Sequence, residues 1–338
     1  MHYWDVWHGE KPFTEYRKFH FRYASEFGFQ SFPCLATVES FTLPEDRNIF
    51  SRIMERHQRN GAANGKILNY LSQTYLYPCD FDNLLYASQL LQADAIRYGV
   101  EHWRRFRGRC MGAVIWQLND CWPVVSWASI DYYGRWKALH YAAKRFFAPV
   151  LLSALEEGET TQNPKINEFR TDPIERSVTF CVTNDTLEPV SGQVRWALRT
   201  PSADIVREGR ENVTVPPLSA SWLPKLDFAD AELTSHYVSF DWEEGGTWVS
   251  GGTALFCAPK HFTFVDPQLS VKADGDAVLV TARAFARFVE IRSSDPDLLL
   301  EDNFFEMNGN QRRVAVLRGH LDNLTARSVY DIGREKRT

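Results

Sequence analysis

Ser25-Glu26-Phe27-Gly28-Phe29-Gln30-Ser31-Phe32-Pro33 sets a single carboxylate in an aromatic stretch that a glycine and a proline interrupt. The six residues before it, 20–25, suit a short buried strand, and Gly28 and Pro33 end regular structure there. Glu26 is therefore predicted where a strand opens into a loop. Because (β/α)-barrel enzymes carry their catalytic groups at that end of their strands, the stretch predicts a barrel strand with a candidate catalytic carboxylate.

Residues 1–149 alternate strand-like and helix-like segments. Residues 45–59 predict one helix, and apolar side chains spaced by three and four over 82–108 predict a longer one. Residues 111–118 form a nearly all-apolar run, typical of a strand buried on both faces. A further helix is predicted over 134–149. This order predicts two βα units of a parallel barrel, too few to close the eight-unit fold that usually takes about 250 residues.

Beyond residue 150 the apolar pattern changes to period two, with turn residues between short strands. Strands are predicted over 177–183, 193–198 and 236–242, and Asp274-Gly275-Asp276 predicts a hairpin turn in a smaller unit. The predicted fold class is therefore multidomain, α/β plus all-β. It comprises a partial (β/α)8 TIM barrel over 1–149, an immunoglobulin-like β-sandwich over 150–259 and a small β-sandwich over 260–338.

Composition excludes several classes of partner. The 338 residues carry 38 Lys and Arg against 43 Asp and Glu, a net charge of −5, and the charges are interspersed. This balance gives no reason to expect nucleic acid or an anionic membrane as partner. No apolar run is long enough to span a bilayer, and no signal peptide is recognisable. The six cysteines and nine histidines show no metal-binding spacing, so we expect reduced thiols, no cofactor and a cytoplasmic location.

Three separated motifs resemble the β-mannosidases of glycoside hydrolase family 2. They are His2-Tyr3-Trp4-Asp5-Val6-Trp7-His8-Gly9, the stretch 25–31, and Trp116-Gln117-Leu118-Asn119-Asp120-Cys121-Trp122 with Ser126-Trp127-Ala128-Ser129-Ile130-Asp131-Tyr132 after it. The resemblance runs from residue 1 to about 150, and beyond that only the domain order is similar. It implies a C-terminal portion of such an enzyme, without the N-terminal domains and the first part of the catalytic barrel.

The resemblance implies a retaining exo-β-mannosidase that removes terminal non-reducing β-D-mannose, with Glu26 matching the nucleophile. A retaining enzyme needs a second carboxyl group about 5 Å away to protonate the leaving oxygen. In the family this acid follows an asparagine well before the nucleophile, whereas only Asp5, Glu10 and Glu15 precede Glu26 here, none after an asparagine. We therefore expect the chain alone to be inactive. Asp120 is a weaker candidate for the acid. For Glu26, the alternative to a catalytic role is a structural one, in which its carboxylate pairs with a cation such as Arg22.

Aromatic and polar residues of the same motifs are candidates for binding sugar. Trp116 would supply a flat platform beside Asn119 and Asp120, whose side chains can bond to hydroxyl groups. Trp4, Trp7 and His8 are candidates for sugar binding for the same reason, since they lie near the end of another predicted strand. The alternatives are core packing for the tryptophans and turn capping for Asn119 and Asp120. Trp122 and Trp127 are expected to pack at the rim.

Two classes of function stay open. The first is a β-mannosidase acting on β-mannoside oligosaccharides once the missing N-terminal part of the enzyme, or a partner chain, supplies the acid. The second is a non-catalytic carbohydrate-binding or assembly module. A β-glucuronidase or β-galactosidase of family 2 would share the barrel and the nucleophile but departs from this chain in the motif that begins at Trp116. An open barrel should expose apolar strand edges and favour association.

Overall fold

The computed structural model describes residues 1–157, 161–163, 167 and 175–334. Two strands and five helices form the first part of the chain. They are β1 (Ala24–Phe27), α1 (Leu35–Glu39), α2 (Arg52–Arg56), α3 (Ala63–Thr74), α4 (Phe81–Arg105), β2 (Ala113–Ile115) and α5 (Ala138–Phe146). Short 3₁₀ turns lie at Phe13–Lys18 and Pro44–Asp46.

The remainder is built from strands. They are β3 (Val150–Glu156), β4 (Ser177–Asn184), β5 (Val190–Arg199), β6 (Ile205–Val215), β7 (Ser219–Trp222), β8 (Leu226–Asp227), β9 (Tyr237–Glu244), β10 (Thr247–Leu255), β11 (Ser270–Asp274), β12 (Ala277–Thr281), β13 (Phe285–Arg292), β14 (Leu299–Leu300), β15 (Phe305–Asn308), β16 (Gln311–Arg318) and β17 (Thr325–Arg327). Further 3₁₀ turns lie at Pro259–His261 and Val329–Asp331.

Helix α4 is the central element of the first part. Asp80 caps its N-terminus, where the carboxylate accepts a hydrogen bond from the backbone N–H of Asn83 at 2.7 Å. His102, Arg104 and Arg105 lie in the last turn, where cations favour the helix dipole. The helix is buried on almost all sides, because α3, α5, β1 and residues near β13 and β17 pack around it. This confirms the helix predicted over 82–108.

Strands β1 and β2 pair in parallel, with Ala24 opposite Ala113 and Phe27 opposite Ile115. In the described residues these two strands make up the whole of that sheet. Strand β2 is shorter than predicted and half exposed, with Val114 45% exposed. The prediction of a strand buried on both faces is therefore wrong, because no element in the described part of the chain covers the Val114 side. A barrel with further strands stays a prediction.

Two other helix predictions need correction. Residues 45–59 do not form one helix, since a 3₁₀ turn and the five-residue α2 share that segment, and Ser51 caps α2 through a bond from Met54 N. Helix α5 begins at Ala138 rather than near Gly134, whose φ of +79° is incompatible with a right-handed helix. Helix α3 was not predicted, because Gly65 lies in its first turn.

Four antiparallel sheets follow in two pairs. The orders β10-β9-β5-β6 and β3-β4-β7, with β8 beside β4, enclose one apolar core around Phe180, Val194 and Trp242. The orders β11-β12-β16-β14 and β15-β13-β17 enclose a second core around Val280 and Phe305. The predicted hairpin is confirmed, since β11 and β12 pair around Gly275 at φ +63°.

A buried ion cluster joins the C-terminal strands to α4. Arg327 Nε lies 2.5 Å from Glu290 Oε2, and its Nη1 lies 3.2 Å from Asp82 Oδ2. The guanidinium also covers the ring of Tyr86 at 4.4 Å. Glu290 and Asp82 keep the pKa of Arg327 above its usual range even though burial acts in the opposite direction. Arg327 therefore stays protonated, and the carboxylates of Glu290 and Asp82 balance its charge.

Replacing Arg327 by alanine should destabilise the protein by about 3–5 kcal/mol, since Glu290 would be left without its cation, although Asp82 keeps Arg292 at 2.7 Å. Differential scanning calorimetry gives the shift in melting temperature. Arg313→Ala is the matched control, because Arg313 pairs with Asp274 and Asp276 at the exposed end of β16 and should leave the melting temperature unchanged. Equal shifts for the two variants would contradict the role of the cluster.

Candidate active site

Backbone pairing brings Glu26 and Trp116 to the same end of the small sheet. Trp116 N donates a hydrogen bond to Phe27 O at 2.8 Å, and Tyr3 N donates to Glu26 O at 2.8 Å from the other side. His2 and Glu26 form a parallel bridge. Glu26 therefore lies on the middle one of three parallel segments, close to their carboxyl ends. The predicted strand began too early, because β1 starts at Ala24 and includes Glu26 and Phe27.

The carboxylate of Glu26 is held through one of its oxygens. Trp4 Nε1 donates to Glu26 Oε1 at 2.9 Å, and His2 Nδ1 lies 3.3 Å from the same atom. In the described residues Oε2 has no hydrogen-bond partner. The side chain is 26% exposed. Glu26 thus offers one free carboxylate oxygen in a fixed orientation, and Arg22 is not its partner.

Trp116 follows β2 directly and is 46% exposed. Val114 and Leu118, two residues before and after it, are 45% and 61% exposed. Val114 lies in β2, whereas Trp116 and Leu118 lie beyond the end of the strand at Ile115. The peptide bond between Trp116 and Gln117 is cis. Trp116 therefore offers an accessible aromatic ring beside Glu26 instead of lying in a core.

Asn119 and Asp120 lie in the loop after Trp116, and Asn119 is exposed. Gln117 Nε2 donates to Asn119 O at 2.9 Å, and Ser126 Oγ donates to Asp120 Oδ2 at 2.9 Å. Burial raises the pKa of Asp120, and the nearby Lys137 charge and the Ser126 hydroxyl oppose that change. The Gln117 and Ser126 side chains thus hold the loop, and the choice between sugar contact and turn capping for Asn119 and Asp120 stays a prediction.

Trp4, Trp7 and His8 occupy different depths. Trp4 is partly buried, and its ring lies 5.0 Å from the ring of the exposed His8. Burial and the charge of Lys66 lower the pKa of His8, which keeps its imidazole neutral at pH 7. Trp7 is fully buried against Phe29. Trp7 is therefore inaccessible to a ligand in this structure, and its ring supports the residues in front of it.

Gly28 permits the close approach of the two strand ends. A Cβ atom at Gly28 would lie 2.3 Å from Trp116 O, 3.0 Å from the ring of Trp4 and 3.1 Å from the ring of Trp127. Contacts below 3.0 Å cannot be accommodated without movement of the backbone. The glycine of the motif is thus required for packing at the site.

Substituting Gly28 by alanine should displace the Trp116 backbone and destabilise the protein by about 1–3 kcal/mol. Near-ultraviolet circular dichroism reports the altered tryptophan packing, and thermal unfolding gives the loss. Gly65→Ala serves as control, since nothing lies within 4 Å of its Cβ position in α3, and it should raise the melting temperature through helix propensity. A Gly28→Ala variant with unchanged tryptophan signals would contradict this packing.

Two buried polar residues behind the site were missed by sequence reasoning. Gln92 of α4 accepts a bond from Ser31 Oγ at 2.7 Å and donates to Phe29 O and Trp127 O at 2.8 and 3.0 Å. It therefore ties the loop after β1 to the loop after β2. The only sequence signal was a glutamine within the apolar run of a helix.

Lys137 is the second of these residues. Its Nζ donates to Ser31 O at 3.1 Å, and the side chain is almost fully buried. Burial lowers the pKa of Lys137 to about 8, and the carboxylates of Asp120 and Asp131 offset only part of that effect. The charged form is thus disfavoured in the folded protein relative to the unfolded chain, whose lysine pKa is near 10.5.

Between pH 8 and pH 10.5 the unfolded chain holds the Lys137 proton more often than the folded protein does. The folded protein should therefore gain stability from this residue as pH rises, by up to about 1.4 kcal/mol per pH unit. Thermal unfolding of the protein and of Lys137→Met across this range tests it. Stability of the unsubstituted protein should rise with pH relative to Lys137→Met. Parallel pH profiles would contradict the depressed pKa.

The described residues hold no cluster of His, Cys, Asp or Glu suited to a metal ion. All six cysteines are without a disulfide. No helix in the described ranges combines the length and apolarity that crossing a membrane requires. The candidate site combines the carboxylate of Glu26 with aromatic rings and the polar side chains of the loop after Trp116.

Comparison with known proteins identifies the relatives. Residues 176–261 match the family model of the mannosidase Ig/CBM-like domain, and 264–332 match an Ig-fold domain model. Beta-mannosidase B of Aspergillus niger is 34% identical over 223 residues, 63% of this chain and 25% of the relative. The crystal structure of beta-D-mannosidase from Dictyoglomus thermophilum aligns with a TM-score of 0.83 at 25% identity, over 97% of this chain and 40% of that chain. This chain resembles the C-terminal portion of the family 2 β-mannosidases.

A more distant structure shares the fold alone. The Amycolatopsis orientalis exo-chitosanase aligns over 93% of this chain and 40% of that chain, with a TM-score of 0.63 at 15% identity. The chain spans about a quarter of the length of the curated relatives it matches. The mostly β architecture with Ig-like domains fits the C-terminal region of such enzymes.

Proposed function

We propose that Glu26 is the nucleophile of a retaining exo-β-mannosidase that hydrolyses terminal non-reducing β-D-mannose. The observation that carries this proposal is the geometry of Glu26. One oxygen is held by Trp4, and the other is free at the carboxyl end of parallel strands beside the exposed ring of Trp116. The names of the relatives support mannose as the sugar.

In the proposed reaction Glu26 Oε2 attacks the anomeric carbon of the mannoside. The bond to the leaving oxygen breaks as an acid protonates it, and a glycosyl ester forms on Glu26. Water then cleaves the ester, with the second carboxyl group acting as base. Trp116 would stack on the sugar, while Asn119, Asp120, Trp4 and His8 would contact hydroxyl groups. Trp7 would support Trp4 and Trp127 from behind.

We propose that this chain supplies only part of the site. Only Asp5, Glu10 and Glu15 precede Glu26, and none follows an asparagine, which is the context that the family resemblance implies for the acid. The exposed apolar side chains of Val114, Trp116 and Leu118 support the same idea, because an exposed apolar segment of this kind is ordinarily covered. Further strands of a (β/α)8 barrel, on the same or another chain, would cover it and bring the acid.

In this proposal residues 1–149 are part of the barrel, and 150–259 and 260–338 are the sandwich domains behind it. A non-catalytic carbohydrate-binding or assembly role is the second candidate. The observation that favours it is that no acidic residue before Glu26 follows an asparagine, the context that the resemblance implies for the acid. The two candidates differ in whether Glu26 reacts.

Labelling with 2-deoxy-2-fluoro-β-mannosyl fluoride separates these candidates. Fluoride leaves without protonation, so the reagent bypasses the missing acid, and the fluorine at C2 slows hydrolysis of the ester. Peptide mass mapping should find the sugar on Glu26, and Glu26→Gln should stay unlabelled. Glu10→Gln is the matched control, since Glu10 is an exposed glutamate of the same region, and it should be labelled like the parent.

Label on another residue, or equal labelling of Glu26→Gln, would refute the nucleophile assignment. Hydrolysis of an aryl β-mannoside by the chain alone should be negligible, because loss of general acid catalysis costs roughly 10²–10⁴ in rate. Rapid hydrolysis that is abolished in Glu26→Gln would keep the nucleophile and overturn the proposal that the acid lies elsewhere.

A further inference from the structure

A cavity of about 560 Å³ lies where three parts of the fold meet, and we refer to it as the three-walled cavity. Helices α4 and α5 provide one wall, with Arg97 and Arg145. The face of β9 and β10 provides the second, with Asp241 and Trp248, and β15 provides the third, with Phe305 and Glu306. Neither Glu26 nor any of the proposed sugar contacts lines it. Its size is in the range of small-molecule sites.

A second groove of about 570 Å³ continues from this cavity. Both are lined by Arg199 and Asp241, and the groove extends across the outer face of β5 and β6. Ligands longer than one ring could therefore lie along the sheet. The two volumes and the shared lining residues together fit a linear oligomer of small rings.

Trp248 presents an aromatic ring at this cavity. The side chain is 48% exposed, and its Nε1 donates to Asp241 Oδ1 at 2.8 Å, which fixes the orientation of the ring. Gly251 stands opposite Asp241 on β10. A Cβ there would lie 2.8 Å from Asp241 Oδ1, so the glycine leaves room for the carboxylate. Flat apolar rings with a fixed polar edge suit stacking against sugar rings.

The charged groups of the cavity are largely paired with one another. Arg97 lies 3.1 Å from Asp94 and 3.2 Å from Glu101, and Glu243 of the cavity lies 3.0 Å from Arg195 of the second groove. Arg145 and Arg312 both contact Asp302. Because opposite charges cancel at short range, the walls offer many hydrogen-bonding groups without a strong field of either sign. Such walls favour a neutral, hydroxyl-rich ligand over an ion.

Two amide groups add free donors. Asn308 Oδ1 accepts from Tyr237 at 2.9 Å, and Asn310 Oδ1 accepts from the backbone N–H of Asn308 at 3.2 Å. In the described residues neither side-chain NH₂ group has a partner. Both residues line the three-walled cavity. They can therefore donate to ligand hydroxyl groups at no cost in internal bonds.

From these observations we propose that the three-walled cavity binds a neutral oligosaccharide, with Trp248 as the stacking platform, at a site separate from Glu26. The lining itself carries the assignment of a neutral saccharide. The choice of β-mannose as the sugar rests on the proposed function. Such a site would hold a polymeric substrate beside the catalytic unit without taking part in bond cleavage.

Isothermal titration calorimetry of the full chain with β-1,4-mannotetraose tests the proposal. Trp248→Ala should weaken binding at this site by roughly tenfold, a typical effect of removing a central aromatic contact. Trp248→Phe should restore most of it, because phenylalanine keeps a flat ring. Trp222→Ala is the matched control, since Trp222 is 40% exposed on β7 and lies outside the cavity, and it should bind like the parent.

All titrations are repeated with Trp116→Ala, which removes stacking at the candidate active site. Retained binding in Trp116→Ala, lost on adding Trp248→Ala, supports the proposal. Absence of tetraose binding, binding insensitive to Trp248→Ala, or binding lost in Trp116→Ala alone would each overturn it. Thermal unfolding confirms that the variants are folded. Asp241→Asn is a second, milder variant, because asparagine keeps an acceptor for the Trp248 N–H, and it is expected to weaken binding less than Trp248→Ala.

Labelling of Glu26 and binding at Trp248 fail independently. If Glu26 is not labelled but tetraose binding depends on Trp248, the proposed function fails and the cavity assignment stands. If Glu26 is labelled and tetraose binding is insensitive to Trp248→Ala, the proposed function stands and the cavity assignment fails.

Discussion

The candidate site depends on the buried amide of Gln92. It reaches from α4 to the carbonyl groups of Phe29 and Trp127, and it accepts a bond from Ser31. A buried amide is stable only when its bonds are made, so the two loops are fixed relative to one helix. Parallel pairing of β1 and β2 in front of that helix then places Glu26 beside Trp116. Lys137 adds a second buried link between the two loops, since its Nζ donates to Ser31 O and Ser126 O at 3.1 and 3.5 Å.

Burial divides the aromatic residues of the first motif into two roles. Trp4 reaches Glu26 with its indole N–H, whereas Trp7 packs against Phe29 and is inaccessible. A pattern of two tryptophans separated by two residues does not reveal which of them faces the carboxylate. The same holds for Lys137, whose charge is disfavoured by burial although it lies near two carboxylates. Buried groups such as Trp7 and Lys137 thus fix the geometry of the site, and accessible groups such as Trp4 are the candidates for contact with a ligand.

The Ig-like domains pack against the helices of the first part of the chain and help to form a cavity there. Their strands form two of the three walls of a cavity that reaches α4 and α5, and Arg327 anchors the last strands to α4 through buried carboxylates. A connection of this kind keeps the cavity at a constant position relative to Glu26. The fold therefore provides both the candidate carboxylate Glu26 and a separate polar cavity.

Local patterns in the sequence determined the long helix α4, the strands at 177–183, 193–198 and 236–242 and the hairpin at Gly275, because periodicity and turn chemistry act over short distances. The motif around Glu26 and Gly28 also identified the candidate carboxylate. The predictions of one helix over 45–59 and of a fully buried β2 were wrong, since local propensity does not report which neighbours cover a segment. Only the tertiary structure decided that Oε2 of Glu26 is free, that Trp7 is buried and that Trp248 lines a cavity. These features depend on contacts between residues far apart in the chain, which no local pattern encodes.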